Sequence, residues 1–546
     1  MTLTSLTFFG FVAASLIVYY IVPKKWRYLV LLAASLAFYG IVCFKYFPFI
    51  IFTALSTWAG ALWLDKVAKD RKALLKEHKA EWDSEQKKKF KHSTIIRRRW
   101  ILALVLVLNF GILAVLKYYN FLAEWFGNII NMQLPMVGLL LPLGISFYTF
   151  QSMGYIIDVY WEKTPAEKNI ARFGLFATFF PQIIQGPIAI YSELAGQLYE
   201  GHDLSYENIK YGAQLIFWGL FKKMVIADRL AVVFNTLFPV RNSLSNAYSL
   251  LLLVVYMVQL YMDFSGGIDI ARGVGCMFGI NMAENFRRPF FSKSISEFWR
   301  RWHISLGKWL KTYLFYPMAV SKAFLRLGTW ISKRGKKPSE EIPDDSIWGG
   351  FTFAQHLGRV LPGCIGTLIT FFIVGMWHGA NWRYAGYGLW NGIIILISMI
   401  LEPVFKWLLR KLRIRVDTAG WRVFQMIRTA ILVVLSVVFD IADNLADGIS
   451  MIGKCFTPVL GPTTHLGTEV STGIEAADWI VVITGLLIVF AVSLYQEKTG
   501  KHIRESLSRQ PLWIQWTLGI GCVVVVAILG MYGPGVASGE FVYMQF

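Results

Sequence analysis

The sequence predicts an all-α polytopic membrane protein, a single membrane domain over 1–546 with about eleven to twelve transmembrane helices plus re-entrant and interfacial pieces. Three observations predict it. Hydrophobic residues make up 55% of the 546 and charged residues only 16%, where a soluble domain carries about 25% charged. Mean hydropathy is +0.50, more apolar surface than a water-facing globule of this size can hide. Apolar runs near the roughly 20 residues that cross a bilayer as a helix recur along the chain.

Taken in order, these runs predict spans near 7–22, 27–46, 47–64, 100–122, 137–160, 211–238, 248–264, 353–377, 384–401, 423–439, 479–494 and 513–531. The apolar stretch 173–190 holds Pro181, Gly186 and Pro187. It reads as a broken or re-entrant piece, which lipid tolerates only where protein buries it. No basic residue precedes the first run, so a cleaved signal peptide is not expected.

Charge sets the orientation, because Lys and Arg concentrate in cytoplasmic loops. The 65–99 stretch carries 13 Lys/Arg against 6 Asp/Glu, and 406–428 carries seven basic residues. The loops 321–350 and 497–509 are basic too, whereas 440–478 has six acids and the single Lys454. Threading the spans alternately puts every basic loop in the cytoplasm. The acidic loop and both termini then fall outside. The net charge of +20 is thus read as positive-inside bias rather than as nucleic-acid binding. A site for anionic lipid at the 65–99 stretch is a second reading of that loop. Five scattered cysteines form no C-x-x-C pair, and no metal site is expected.

Two segments carry chemistry. In 290–317, FFSKSISEFWRRWHISLGKWLKTYLFYP, Ser294 and Glu297 form a capping-box pattern. At 100° per residue Ile295, Trp299, Trp302, Leu306, Trp309 and Tyr313 share one face, with Arg300, Arg301, Lys308 and Lys311 opposite. This predicts an amphipathic helix in the membrane interface. His303 lies at the edge of the stripe, either an anchor-helix residue meeting water or a functional group. In 371–391, FFIVGMWHGANWRYAGYGLWN, His378 ends a nearly uncharged run among glycines that permit close helix packing. A histidine at that depth is either a core residue satisfied by a backbone carbonyl or a general base that takes a hydroxyl proton. Other ionisable residues near membrane depth are Asp158, Asp263 and Asp269. No inverted repeat, selectivity filter, nucleophile elbow, P-loop or H-E-x-x-H supports a transporter, channel, hydrolase or metalloenzyme.

The strings LPLGISFYTFQSMGYIIDVY (141–160), FFPQIIQGPI (179–188), QLYMDFSGGIDIARG (259–273), NFRRPFFSKSISEFWRRWHISLGKWLKTYLFYP (285–317), GMWHGANW (375–382) and the terminal GEFVYMQF resemble the membrane-bound O-acyltransferase family. They are most similar to its bacterial branch of alginate O-acetylation and cell-wall enzymes. The resemblance implies a helical ring around a tunnel open to both membrane faces, with His378 as the central histidine and His303 as the second. It implies that Arg300, Arg301, Trp377, Asn381, Gln151 and Asp263 bind substrate. No cofactor stays bound; the donor is a cytoplasmic thioester, acetyl-CoA or another acyl-CoA, or an acyl carrier. The acyl group passes to an extracytoplasmic polysaccharide or cell-wall acceptor, with an esterase-like extracytoplasmic partner completing transfer. Two alternatives remain: D-alanyl transfer to teichoic acid from a carrier protein, and a transporter or scaffold without acyl chemistry. The chain departs from the family pattern by the charged segment 322–345 between the two histidines.

Overall fold

The computed structural model describes residues 2–138, 141–183, 185–335, 347–348, 351–456 and 471–532. Thr464 in the acidic stretch, most of 322–345 beyond Arg334, and the terminal GEFVYMQF lie outside them. Among the described residues all regular structure is helical. One apolar cluster runs from Leu3 to Val526.

Seven helices are long and apolar enough to cross a membrane, or eight if the bent pair Trp382–Ile400 and Glu402–Lys411 (60°) is one span. The other expected runs take shapes that this length and hydropathy do not capture. The runs 27–46 and 47–64 form the helices Arg27–Cys43 and Phe47–Glu77, parted by the turn Phe44–Tyr46 with Cys43 at φ −141° and ψ 46°, outside the helical region, and both helices pack on Ile170–Thr178. The run at 137–160 becomes the helix Ile145–Tyr160, almost wholly buried by protein. The run at 211–238 is interrupted by Lys222, Lys223, Asp228 and Arg229, all buried. The first run, Leu6–Ile21, is helical but only 16 residues long. The stretch 173–190 is broken as expected, into Ile170–Thr178 and Phe180–Ile183.

The basic stretches expected as loops are largely helix. Residues 65–99 belong to Phe47–Glu77 and Ser84–Ile130, joined by a short turn. Their cations are drawn together by Glu162, whose carboxylate meets Arg98 at 2.6 Å, Arg71 at 2.7 Å and Lys72 at 2.8 Å. The hydrogen bond from Lys72, with Arg71 and Arg98 beside it, holds that carboxyl below its ordinary range. The first half of the 322–345 segment is the helix Lys322–Arg334, laid against Phe353–His378. Gly328 and Gly358 let the two backbones meet: a Cβ on Gly328 would lie 2.5 Å from the Gly358 carbonyl oxygen.

At the centre lies Asn246–Met277, crossed by a helix that runs from Tyr206 to Leu237 through a π-helical turn at Phe221–Ala227. Glycines at the crossing explain its closeness. A Cβ on Gly219 would sit 2.5 Å from the Gly266 oxygen, and one on Gly273 2.6 Å from the Gly212 oxygen. Small residues at membrane helix crossings allow this approach. The π turn aims both lysines at the central helix. Lys222 meets Asp269 at 2.7 Å, and Lys223 meets Asp263 at 2.6 Å and Asp228 at 2.8 Å.

Candidate active site

The segment after Asn285 does not form the single amphipathic helix expected over 290–317. It divides into Ile295–Arg301 and Ile304–Leu310, with a π-helical turn at Lys311–Phe315 after them. Ser294 caps the first piece by accepting from the Glu297 N–H at 3.1 Å, and the Glu297 carboxylate accepts instead from the Lys293 N–H at 2.9 Å. The break falls on His303, whose φ of 44° and ψ of 53° are left-handed. Non-glycine residues rarely adopt that region, though histidine is enriched there. Neighbouring backbone enforces it. The Arg287 N–H donates to the Arg301 oxygen at 2.9 Å, the Ile304 N–H to the Asn285 oxygen at 3.0 Å, and the Ser305 N–H to Asn285 Oδ1 at 2.9 Å.

The aromatic stripe is inside the protein rather than along the membrane interface. Trp302 stacks on Phe298 and meets Phe286 edge-on. Trp309 donates to the Phe150 oxygen at 2.7 Å, and Tyr313 donates to Asp158 at 2.7 Å. Periodicity correctly grouped these side chains on one face; what covers that face is protein, with Trp309 and Tyr313 on helix Ile145–Tyr160, Trp302 on Tyr261 and Phe286, and Trp299 on Phe371 and Tyr387. His303 goes with them, only 2% exposed instead of meeting water.

His378 is the last residue of Phe353–His378. A helix end leaves carbonyls without intrahelical donors. Here Tyr118 donates to the Met376 oxygen at 2.7 Å and Lys117 donates to the Trp377 oxygen, both from the Ser84–Ile130 helix. A cation is also favoured at a helix C-terminus. The chain then extends through Gly379, and Asn381 caps the next helix by accepting from the Arg383 N–H at 3.0 Å. The hairpin closes tightly because Gly375 and Gly388 lie against the opposing backbone, as the glycine pattern predicts.

The two histidines flank one indole. Trp377 lies edge-on to His303 at 5.9 Å between centroids and to His378 at 5.2 Å. Phe264 and Phe147 wall His303, and Tyr384 and Tyr387 wall His378. His378 Nδ1 lies 3.9 Å from Asp440 Oδ1, while Tyr256 donates to the other oxygen of that carboxylate. A cavity of about 510 Å³ opens onto His303, with Arg300, Lys308 and Lys311 among its lining cations and Phe371, Val374 and Leu306 among its apolar walls. Among the described residues no group of three His, Cys, Asp or Glu is placed to hold a metal ion.

The other expected binding residues have structural partners. Arg301 pairs with Glu297 at 2.8 Å and with both oxygens of Glu497 at 2.9 Å. Gln151 donates to the Phe176 oxygen, Asp263 belongs to the lysine cluster, and Asn381 is a cap. Arg300 alone of that set lines the His303 cavity with its side chain exposed; Trp377 lies between the histidines. Sequence reasoning missed Asp440, Tyr256 and Lys117. Asp440 was counted with the acidic loop, although Ile441 and Ala442 follow it and all three are buried. An acid inside a continuing apolar run is the signal that marks it.

Residues 166–330, which include His303, match the membrane-bound O-acyltransferase family. The probable alginate O-acetylase AlgI of Pseudomonas syringae pv. tomato is 32% identical over 418 residues, 74% of this chain and 70% of that protein. The chain belongs to the membrane-bound O-acyltransferase family. A second relative, the peptidoglycan O-acetyltransferase of Helicobacter pylori, is 29% identical over 429 residues, 72% of this chain and 69% of its own. The teichoic acid D-alanyltransferase of Bacillus subtilis matches a shorter stretch, 29% identical over 283 residues, 50% of this chain and 64% of its own. This member of the family is a multi-pass membrane O-acyltransferase.

Proposed function

We propose that the protein moves an acetyl group from a thioester donor on the cytoplasmic side to a hydroxyl of a polysaccharide or cell-wall glycan on the outer side, in the cell membrane, with His378 as general base. The observation that carries this reading is the pairing of His378 with buried Asp440 across Trp377 from His303. In this reading Nδ1 of His378 is turned to Asp440 and Nε2 takes the hydroxyl proton as the acceptor oxygen attacks the thioester carbonyl. The C–S bond breaks and the leaving thiolate receives that proton from the imidazolium. Asp440 stabilises the imidazolium while it lasts. A thioester is reactive enough that a base and a positioned acceptor suffice.

The cavity supports entry of the donor past Arg300, Lys308 and Lys311, whose charges suit phosphates. His303 then positions the acyl group, and an esterase-like extracytoplasmic partner completes delivery to the polymer. The basic ends of the long helices support a cytoplasmic face, and the Arg241–Asp443 side is then external. Alternate threading of the spans then puts both termini on the external side as well.

The test is transfer from labelled acetyl-CoA by the protein in proteoliposomes, with alginate oligomers or peptidoglycan fragments outside. Label should reach one of these acceptors, and Asp440→Asn should slow transfer less than His378→Gln does. Transfer of D-alanine from a loaded carrier, with no acetyl transfer, would replace this reading with the D-alanyl one.

A further inference from the structure

On the side of the 285–288 stretch away from His303, two cavities meet at one place. A polar cavity of about 150 Å³ lies between the Asn246–Met277 helix, the 284–288 stretch and the Ala476–Thr499 helix. An apolar groove of about 500 Å³ lies between the Tyr206–Leu220 helix and the Leu512–Leu529 helix. Gln214, Trp218, Ile503 and Arg504 line both, so the groove runs into the polar cavity.

Charge at the junction is unbalanced. Five cations line the polar cavity: Lys222, Arg272, Arg287, Arg288 and Arg504. Against them stand Asp269 and Glu284 in the lining and Glu497, which pairs with Arg288 at 2.7 Å. Among the described residues Arg504 has no carboxylate within ion-pair distance, and it occupies the point where the two cavities join. The groove leading away from it is made by Trp516, Gly519, Cys522 and Val523 of the membrane helix. Trp513 and Trp516, exposed on the first turn or two of that helix, mark headgroup depth, where tryptophans of spanning helices concentrate. Cation, aromatic belt and apolar groove therefore follow one another in the order of a phosphate, an interface and a hydrocarbon chain.

We propose that this joined site holds an anionic phospholipid, its phosphate between Arg504 and the arginines of the polar cavity and one acyl chain in the groove. It rests on no step of the transfer chemistry. The groove has room: a Cβ added at Gly519 would meet nothing within 4 Å, so a larger side chain there fills the groove without displacing the fold.

The experiment is native mass spectrometry of the full-length protein purified in detergent and presented with phosphatidylglycerol or phosphatidylcholine. Phosphatidylglycerol should be retained and phosphatidylcholine should not. Arg504→Gln should weaken retention about fivefold, the worth of one basic residue at a membrane surface. Gly519→Phe should lower retention with every charge intact, and both variants should melt like the parent in phosphatidylcholine. Equal retention of the two lipids, or retention unchanged in both variants, overturns the proposal. Displacement of the lipid by coenzyme A or inorganic phosphate at matched concentration also overturns it, assigning the cavity to a soluble phosphate.

Discussion

The protein buries ionisable side chains in two places, and the two are built to opposite ends. Around the π turn, Lys222 and Lys223 are paired with three aspartates at 2.6–2.8 Å. These distances are those of charge-assisted hydrogen bonds, and the groups are spent on holding two glycine-crossed helices together. Around His378 the nearest carboxylate oxygen stands at 3.9 Å, beyond hydrogen-bond length, and the walls are aromatic rings. A cavity of about 510 Å³ reaches His303, on the far side of Trp377. Burial of a charge-bearing group is therefore not in itself a mark of chemistry; what separates the regions is whether substrate space adjoins the group.

Substitutions can break that contrast. The largest effect is expected at His378. His378→Gln should lower acyl transfer by on the order of 10²–10⁴-fold, the worth of general base catalysis, with normal abundance in membranes. Near-normal transfer by a folded His378→Gln protein would make His378 a core residue like Asp263. Next comes Lys223→Ala, which leaves two buried aspartates without their cation. Removing one partner of a buried pair costs about 3–5 kcal/mol, so protein should fail to accumulate, and a Lys223→Met, Asp228→Asn, Asp263→Asn protein should recover. Thermal melts of the purified variants read this directly, and loss of transfer without loss of stability in Lys223→Ala would erase the distinction.

A smaller effect is expected at His303. His303→Ala should cost both its place in the site and about 1 kcal/mol of backbone strain in the left-handed region, whereas His303→Asn, which tolerates that conformation, should melt like the parent yet still transfer slowly. Both should be milder than His378→Gln in transfer rate. The smallest effect concerns Glu162. Its carboxyl is held low by Lys72, Arg71 and Arg98, so its stabilisation is present above the unfolded value of about 4.3. It is lost as pH falls through the lower folded value. Melting temperatures of the parent and of Glu162→Gln should converge between about pH 5 and pH 3. Partial exposure keeps the difference at higher pH under about 1 kcal/mol.

Much of the architecture was legible. Hydropathy located the spans from 353 onward within a few residues, and prolines marked the break near Pro181. Composition could not show that the basic stretch 65–99 is mostly helix, because Lys and Arg extend a helix as readily as they fill a loop. At the site, His378 was visible because a lone histidine ends an uncharged run among glycines. The break at His303 was not, since its cause is the 285–287 backbone, sixteen to eighteen residues upstream. The structural partners of Asp263 and Gln151 were not legible for the same reason: a polar residue at membrane depth reads alike whether its partner is a substrate or Lys223 and Phe176.

The π turn at Phe221–Ala227 has a consequence for insertions and deletions. Adjacent residues on an ordinary α-helix point about 100° apart, too far for neighbours both to reach one facing helix at short range. The wider turn brings Lys222 and Lys223 round together, and it amounts to one residue more than a regular helix would hold. Losing any single residue of that turn would restore an α-helix and shift the register of the two parts of the helix on either side of the loss. Gly212 and Gly219, seven residues apart and both seated on the central helix, lie together on its amino-terminal side and would keep their spacing. The carboxyl-terminal part, from Asp228 onward, would instead rotate by about a quarter turn. Length here is thus constrained as strictly as residue type, so a one-codon deletion in these seven residues would be more disruptive than most substitutions of the same seven.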